Sequence, residues 1–459
     1  MLKTFKIGGV HPADMKLSAG SSIRVLPAPA EVKIPVAQHI GAPAQPVVAV
    51  GDMVKVGQLI AQATGFVSAN IHSSVSGKVK KIEDFVDANG YKKLGITIAV
   101  EGDEWLETID RTEAVRREIT MEGADIIKRI QEMGIVGMGG ATFPAHVKLS
   151  IPAGKKCEAL IINGVECEPY LTSDHRLMLE KGEEILIGVK ILMKALSVDK
   201  AYIGIENNKP DAIDNLTRLS ASFEGITVVP LKLRYPQGGE KQLIDAITGR
   251  QVPSGKLPID VGAVVQNVGT VYAIYEAVQK NKPLIERVVC VTGKPLREPS
   301  NFLARIGTPV SELIEAAGGM PEDCGKVIGG GPMMGRPYTR LDVPVVKGSS
   351  GITLMNAKDS VRRPEHNCIR CAKCVGACPM GLEPYLLATL SKLGRLDDLR
   401  GAHVMDCIEC GCCIYTCPSN RPLLDYIRTG KARVGAQLRA EAAAKKAAAE
   451  AAKAKEADK

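Results

Sequence analysis

The chain has 459 residues, 45% hydrophobic and 24% charged, which excludes a mainly disordered polypeptide and, at about 150 residues per domain, predicts roughly three domains. Its net charge of +8 is too mild to argue for nucleic acid; it fits an acidic partner or an anionic surface without requiring either. No run reaches the ~18–20 apolar residues of a membrane span and the first residues lack a signal-peptide apolar region, so a cytoplasmic chain with at most peripheral membrane association is expected.

Residues 1–30 read as an irregular N-terminal arm. Residues 31–105 alternate short β runs with Gly turns, as in 47–61 around Gly51 and Gly57 and again in 71–82 around Gly77. The pattern resembles the barrel-sandwich fold of lipoyl and biotinyl domains, which carry a prosthetic group on a hairpin Lys. The matching stretch 66–73 has no Lys, which favours a structural role over a swinging-arm carrier. Residues 115–280 alternate helices (124–133, 180–196, 239–248) with strands (159–163, 200–206, 227–233), the signature of an α/β sheet with ligands at the carboxyl ends of its strands. Residues 284–345 read as a small β-rich, SLBB-like module. Residues 431–459 are rich in Ala, Lys and Glu. They predict a helical or disordered tail without a sustained apolar face.

Nine of the 13 cysteines lie between 368 and 417. In a reducing compartment such a concentration favours metal or redox chemistry over disulfides. Eight of them form two copies of C-x2-C-x2-C-x3-C-P, the run of bacterial two-cluster ferredoxins. Three thiolates on a tight loop cover three corners of one cluster and the fourth reaches the other. Cluster one then takes Cys368, Cys371, Cys374 and Cys417; cluster two takes Cys407, Cys410, Cys413 and Cys378. Cys412 is surplus. A zinc site needs only four ligands, and eight in this order fit two 4Fe–4S clusters better. The intervening 379–406 contains a helical pattern over 383–399, so residues 358–428 predict a helical two-cluster domain. Cys157, Cys167, Cys290 and Cys324 read as small buried hydrophobes.

The segment Gly137-Met138-Gly139-Gly140-Ala141-Thr142-Phe143-Pro144-Ala145-His146-Val147-Lys148 lets backbone N–H groups approach a phosphate or flat ring, with Lys148 to neutralise charge. The loop Asn163-Gly164-Val165-Glu166-Cys167-Glu168-Pro169 follows a buried strand. There Asn could bond a flavin edge, and the two carboxylates could bind ribose hydroxyls. These two motifs resemble the G-R-G-G-A-G-F-P-x-G-x-K and N-x-x-E-x-x-P loops of the NADH-oxidising, FMN-bearing subunit of respiratory complex I. Tyr235-Pro236-Gln237-Gly238-Gly239-Glu240 resembles its Y-x-x-G-E-E element, and Gln266-Asn267-Val268-Gly269-Thr270 its N-N-V-E-T element. Met138 stands in place of the Arg, Thr142 of a Gly, Val165 of an acidic residue, Gly239 of a Glu and Gln266 of an Asn.

The whole layout over 1–428 is similar to the RnfC (RsxC) family of Rnf ion-translocating electron transport complexes. The resemblance implies a multidomain α/β and β chain. Its expected parts are a barrel-sandwich β domain, an α/β FMN/NADH-binding domain, a small β-rich module and a helical two-cluster ferredoxin domain. It implies FMN on Gly137, Gly139, Gly140, Lys148, Asn163, Glu166, Gln266 and Asn267. NADH would stack near Phe143, with Glu168 at its ribose and Glu240 near the nicotinamide. Arg250 is a candidate for the role of the lost Arg. The implied function is NAD(H)-linked electron transfer through FMN and two 4Fe–4S clusters. The implied place is the cytoplasmic face of the cell (inner) membrane, among other Rnf proteins: membrane-embedded subunits and an iron–sulfur subunit. The alternatives are a non-catalytic iron–sulfur relay or adaptor, a soluble NADH dehydrogenase flavoprotein, and the RnfC-like component of the Na⁺-translocating NADH:quinone reductase, which the twin cluster motifs disfavour.

Overall fold

The computed structural model describes residues 2–457, with side chains to residue 448. At its centre lies a parallel sheet in the order Ile226–Leu231, Ala201–Glu206, Ala159–Asn163, Ala263–Asn267. The strands are short apolar runs buried from both sides, as a parallel sheet covered by helices requires. The crossovers run through the helices Gly182–Leu196, Pro210–Ser220 and Glu240–Thr248. Strand order reverses between Ala159–Asn163 and Ala263–Asn267, which opens a crevice at their carboxyl ends.

The helix expected over 180–196 is two, Ser173–Glu180 and Gly182–Leu196, broken at Lys181 (φ −127°). Gly182 sits where a Cβ would press on Leu219, so the second helix starts at a close approach to the helix Pro210–Ser220.

Two antiparallel sheets form the barrel sandwich. One is Glu31–Pro35, Lys92–Val100, Gly77–Val86, Met53–Val54; the other is Gln45–Pro46, Leu59–Gln62, Ile71–His72. The strands between residues 45 and 72 are shorter than the β runs in the sequence suggest, whereas Gly77–Val86 runs on past 82. The tip where a carrier Lys would stand instead buttresses the Gly-rich segment. Ile40 N donates to Thr142 O (3.3 Å), His146 Nε2 lies 2.9 Å from Phe66 O, and the two rings meet edge to face at 5.8 Å.

The β-rich module is a six-stranded sheet in the order Ile23–Val25, Ser300–Arg305, Glu286–Thr292, Gly351–Asn356, Cys324–Gly329, Arg336–Pro337. It crosses both expected boundaries. Ile23–Val25 comes from the arm and pairs in parallel with Ser300–Arg305, and Gly351–Asn356 lies beyond 345. Three residues at a sheet edge carry too little periodicity to read.

In the cysteine-rich region the helix expected over 383–399 splits into Pro384–Lys392 and Leu396–Gly401 at Gly394 (φ +68°). The tail begins earlier than expected, within a continuous helix Leu423–Ala457. Leu423, Ile427 and Val434 of its first turns are buried on Leu387, Leu399 and Val404. Residues 442–448 are exposed, and residues 458 and 459 of the expected tail lie outside the described residues. No helix among the described residues is long and apolar enough to cross a membrane.

Candidate functional site

Asn163 and Asn267 stand side by side at the carboxyl ends of the two strands that flank the crevice. Both amides shape loops. Asn267 Oδ1 accepts from Gly269 N (2.9 Å), capping the helix Val268–Gln279, and its Nδ2 donates to Asp174 Oδ2 (2.7 Å). Asn163 Nδ2 donates to Gly238 O (2.9 Å) and so fixes the 235–240 loop.

The Gly-rich segment lies over this helix N-terminus. Gly137 N donates to Phe143 O (2.8 Å), closing the loop, and Met138 N donates to Thr270 Oγ1 (2.8 Å). A Cβ on Gly139 would sit 3.4 Å from Asn267 Cβ, whereas Gly140 (φ +111°) faces open space. Thr142 holds φ +51°, a strained value for a β-branched residue, at the position where the complex I loop has Gly. Phe143 is half-buried at the end of the loop. Met138 is 6% exposed, and its Cε would lie 3.0 Å from a Cβ on Gly269, so this side chain points inward.

Lys148 reaches the crevice from the helix Ala145–Leu149. Its Nζ lies 2.5 Å from Glu240 Oε1 and 3.3 Å from Val265 O. Gln266 is 3% exposed, and its Nε2 has no partner. A phosphate-bearing flat ring fits this donor set. The open glycines and the helix N-terminus offer N–H groups, Lys148 offers charge, and Gln266 offers an unsatisfied buried donor.

The structure brings Gly137, Gly139, Gly140, Phe143, Lys148, Asn163, Glu240, Gln266 and Asn267 to this crevice, and it turns three other expected residues to different work. Glu166 accepts from Ser173 Oγ (3.1 Å), Asp174 N (2.9 Å) and His175 N (3.1 Å), so it caps the helix Ser173–Glu180 rather than facing a flavin. Glu168 accepts from Met333 N (3.1 Å) and Met334 N (2.7 Å) in the β-rich module, away from a ribose in the crevice. Burial pushes its carboxyl up to about 7, against those two N–H bonds. Arg250 pairs with Glu158 (2.6 Å) and donates to Val261 O (2.8 Å), at the amino ends of the strands. It sits at the wrong end of the sheet to replace the missing Arg.

Sequence reasoning missed Asp174 and Lys209. Burial, with Glu166 beside it, pushes the Asp174 carboxyl up to about 7. Lys209 Nζ donates to Val165 O (2.7 Å), and burial holds its amine down at about 8. Lys209 follows a strand end by three residues, which is a readable signal. Asp174 gives none until the fold is known.

Cys378, Cys407, Cys410 and Cys413 line one cavity, walled by Leu382, Leu387, Leu424 and Ile427. This is the set expected for cluster two, including the crossover from the first motif. Burial pushes the Cys407 thiol up to about 11, and the neighbouring Cys410 and Cys378 add to the rise. Crowded thiolates of this kind need a bound cation to balance them, which suits an iron–sulfur cluster. Among the described residues no set of three or more His, Cys, Asp or Glu closes on a single ion; the four thiols frame a cavity instead. Burial pushes the Cys374 thiol up, and Cys417 lies near enough to add to the rise, while Cys368 and Cys371 are exposed. Cys412 is fully buried and lines the cluster-two cavity. Of the scattered cysteines, Cys157 and Cys290 are buried and Cys167 and Cys324 partly so.

The cavity abuts the crevice loop. Tyr235 Oη donates to Cys410 O (2.8 Å), and Gln242 Nε2 donates to Pro379 O (3.3 Å). The 235–240 segment therefore runs from the cluster-two cysteines to the partner of Lys148.

Comparisons with known proteins agree with this layout. Family models match in chain order: the RnfC barrel sandwich hybrid domain over 3–104, the Nuo51 FMN-binding domain over 130–276, the SLBB domain over 288–337 and a 4Fe-4S dicluster domain over 360–418. The chain is 49% identical over 433 residues to the C component of the proton-translocating ferredoxin:NAD(+) oxidoreductase complex of Clostridium ljungdahlii, covering 93% of each chain. It is 44% identical over 444 residues to the Na(+)-translocating counterpart of Acetobacterium woodii, covering 95% of this chain and 98% of that one. A solved NAD+-reducing NiFe hydrogenase in the H2-reduced state aligns at TM-score 0.46 and 18% identity, over 67% of this chain and 61% of that one. With an FMN-binding domain, a two-cluster domain and near-full-length likeness to these relatives, the chain belongs to the RnfC family, a component of multi-subunit ion-translocating oxidoreductase complexes.

Proposed function

We propose that this chain is the NAD(H)-interacting electron-transfer subunit of an ion-translocating ferredoxin:NAD oxidoreductase complex, held peripherally at the cytoplasmic face of the membrane. Its partners in this reading are membrane-embedded subunits and an iron–sulfur subunit. The observation that carries the reading is the junction at 235–240, where one loop touches both the Gly-rich crevice and the cluster-two cysteines. A flavin bound there converts two-electron hydride chemistry into one-electron steps that iron–sulfur clusters can carry.

The residues of the chain divide the remaining work. The N–H groups of Gly139 and Gly140, left free when Gly137 and Met138 bond within the loop, and the Lys148 ammonium would hold the phosphate, and Gln266 would meet the ring. Glu240 holds Lys148 in place until a phosphate competes for it. Tyr235 anchors the Cys410 backbone, which keeps the cluster-two loop against the crevice. In this reading cluster two would be the flavin-side cluster, which that bond supports, and cluster one, with its exposed Cys368 and Cys371, would lie on the outward side.

Anaerobically purified chain should contain about eight irons and one FMN. Both should bleach when NADH is added. Eight irons without flavin, and no response to NADH, would favour a relay adaptor whose α/β domain only docks.

A further inference from the structure

Residues 361–373 are exposed along their whole length and carry Cys368 and Cys371. Of the corresponding Cys407 and Cys410 of the second motif, Cys407 is partly buried and Cys410 is 8% exposed. The outward cluster would therefore lie under a surface loop, whereas the cysteines of the inward one line an enclosed cavity.

Charge on this surface is unbalanced. Its two carboxylates are taken: Asp359 pairs with Lys294 (2.9 Å), and Glu365 lies 3.6 Å from Arg421. Arg362 pairs with Asp425 (2.7 Å). The side chains of Lys358, Arg363, Arg370 and Lys373 meet no hydrogen-bond or ion-pair partner among the described residues. Glu383, bonded to Tyr385 Oη (2.9 Å), is an exposed carboxylate at the start of the next helix, and Asp323, whose backbone carbonyl accepts from Ala357 N (2.7 Å), is another. Between the cations stand two isolated apolar side chains, Val361 at 72% and Ile369 at 67% exposure. Unpaired cations repel one another and add nothing to the fold. They do create a positive potential that speeds encounter with an acidic surface, by roughly 10- to 1,000-fold in rate. Scattered apolar residues among charges suit a small, short-lived interface rather than a permanent one.

Resting on the two-cluster reading above, we propose that the face formed by Lys358, Arg363, Ile369, Arg370 and Lys373 docks an acidic protein domain that carries its own redox centre. One electron crosses per encounter. The donor side is oxidised by one electron and the acceptor side reduced by one, with no bond made or broken and no proton moved. Anionic lipid would also meet the cations, but it would cover the exposed cluster ligands with material that accepts no electron.

The test uses membrane vesicles holding the assembled complex, with Arg363→Glu/Arg370→Glu and, farther along the chain from Cys368 and Cys371, Lys358→Glu/Arg363→Glu. The probe reaction is NAD⁺ reduction by a reduced, acidic two-cluster ferredoxin. Both variants should slow it at least tenfold at low salt and weaken its dependence on ionic strength. Iron content, flavin content and NADH-driven ferricyanide reduction should stay at wild-type levels. Unchanged ferredoxin-driven rates would overturn the docking face. So would intact rates with lost binding of the purified chain to phosphatidylglycerol vesicles, which would make the face a lipid contact. Absence of iron or NADH bleaching in the wild type would instead refute the underlying reading.

Discussion

At the residue scale, charge placement decides which side chains are free to bind. Lys148 is half-exposed and held by one carboxylate, so an incoming phosphate can take it over. A charge-assisted hydrogen bond is worth about 1.5–3 kcal/mol. Lys148→Ala should therefore weaken FMN binding by roughly ten- to a hundredfold at unchanged iron content, read by flavin fluorescence in the ultrafiltrate. Glu240→Gln frees the ammonium and should not weaken binding; equal loss in both variants would mean that the ion pair only braces the loop. Lys347 is the opposite case. It is 1% exposed, its Nζ donates to Asn70 O and Gly134 O (2.7 Å each), and burial pushes its amine down to about 7. An unfolded lysine titrates near 10.4, so between about 7 and 10.4 the unfolded chain binds the extra proton. Stability must rise with pH across that window and stay level below it. Lys347→Met should abolish the rise, seen as urea midpoints that no longer climb between pH 7 and 9.5.

At the element scale, the strands were readable because a parallel sheet buried on both sides leaves unbroken apolar runs such as Ala159–Asn163. The Gly-rich loop was readable because its glycines have a geometric job. The roles of Glu166 and Glu168 were not, since a carboxylate in a loop does not say which N–H groups the fold will bring to it. The break at Lys181 was hidden for the same reason, because its cause is a neighbouring helix distant in sequence. Helix packing makes its own prediction at Gly188. A Cβ there would collide with Val271 O and Cγ1 of the helix that begins at the crevice. Gly188→Val should cost about 1–3 kcal/mol by overpacking. Because the strain falls on Val268–Gln279, flavin retention should drop along with thermal stability, while Gly376→Ala, at an exposed position where a Cβ meets nothing, changes neither.

At the scale of the whole molecule, the arm that reads as irregular in the sequence is a strap. Lys3 bridges Leu231 and Val10 bridges Tyr235, which ties residues 3–10 along the edge of the central sheet. Arg234 Nη1 donates to Phe5 O (2.8 Å), and Nη2 donates to Gly8 O. On the other side Gly9 N donates to Ala377 O (2.9 Å), just before Cys378. Cys378 is the residue that leaves the first motif to complete the cluster-two cavity. The arm thus presses that crossover ligand toward the flavin domain. Gly8 is the pinch point: it sits at φ +68°, and a Cβ there would overlap the Cys378 carbonyl and come within 2.6 Å of Pro379 N. Backbone cannot yield as a flexible side chain can, and a β-branched residue at that φ is itself strained. Gly8→Val should therefore displace Cys378 and lower iron content toward about half, the share of one cluster of two. Flavin content and NADH-driven ferricyanide reduction should persist, because the crevice lies beyond the strap, while NADH should no longer reduce the remaining cluster. Full iron content with normal NADH bleaching of both chromophores would show that the crossover ligand holds its place without the arm.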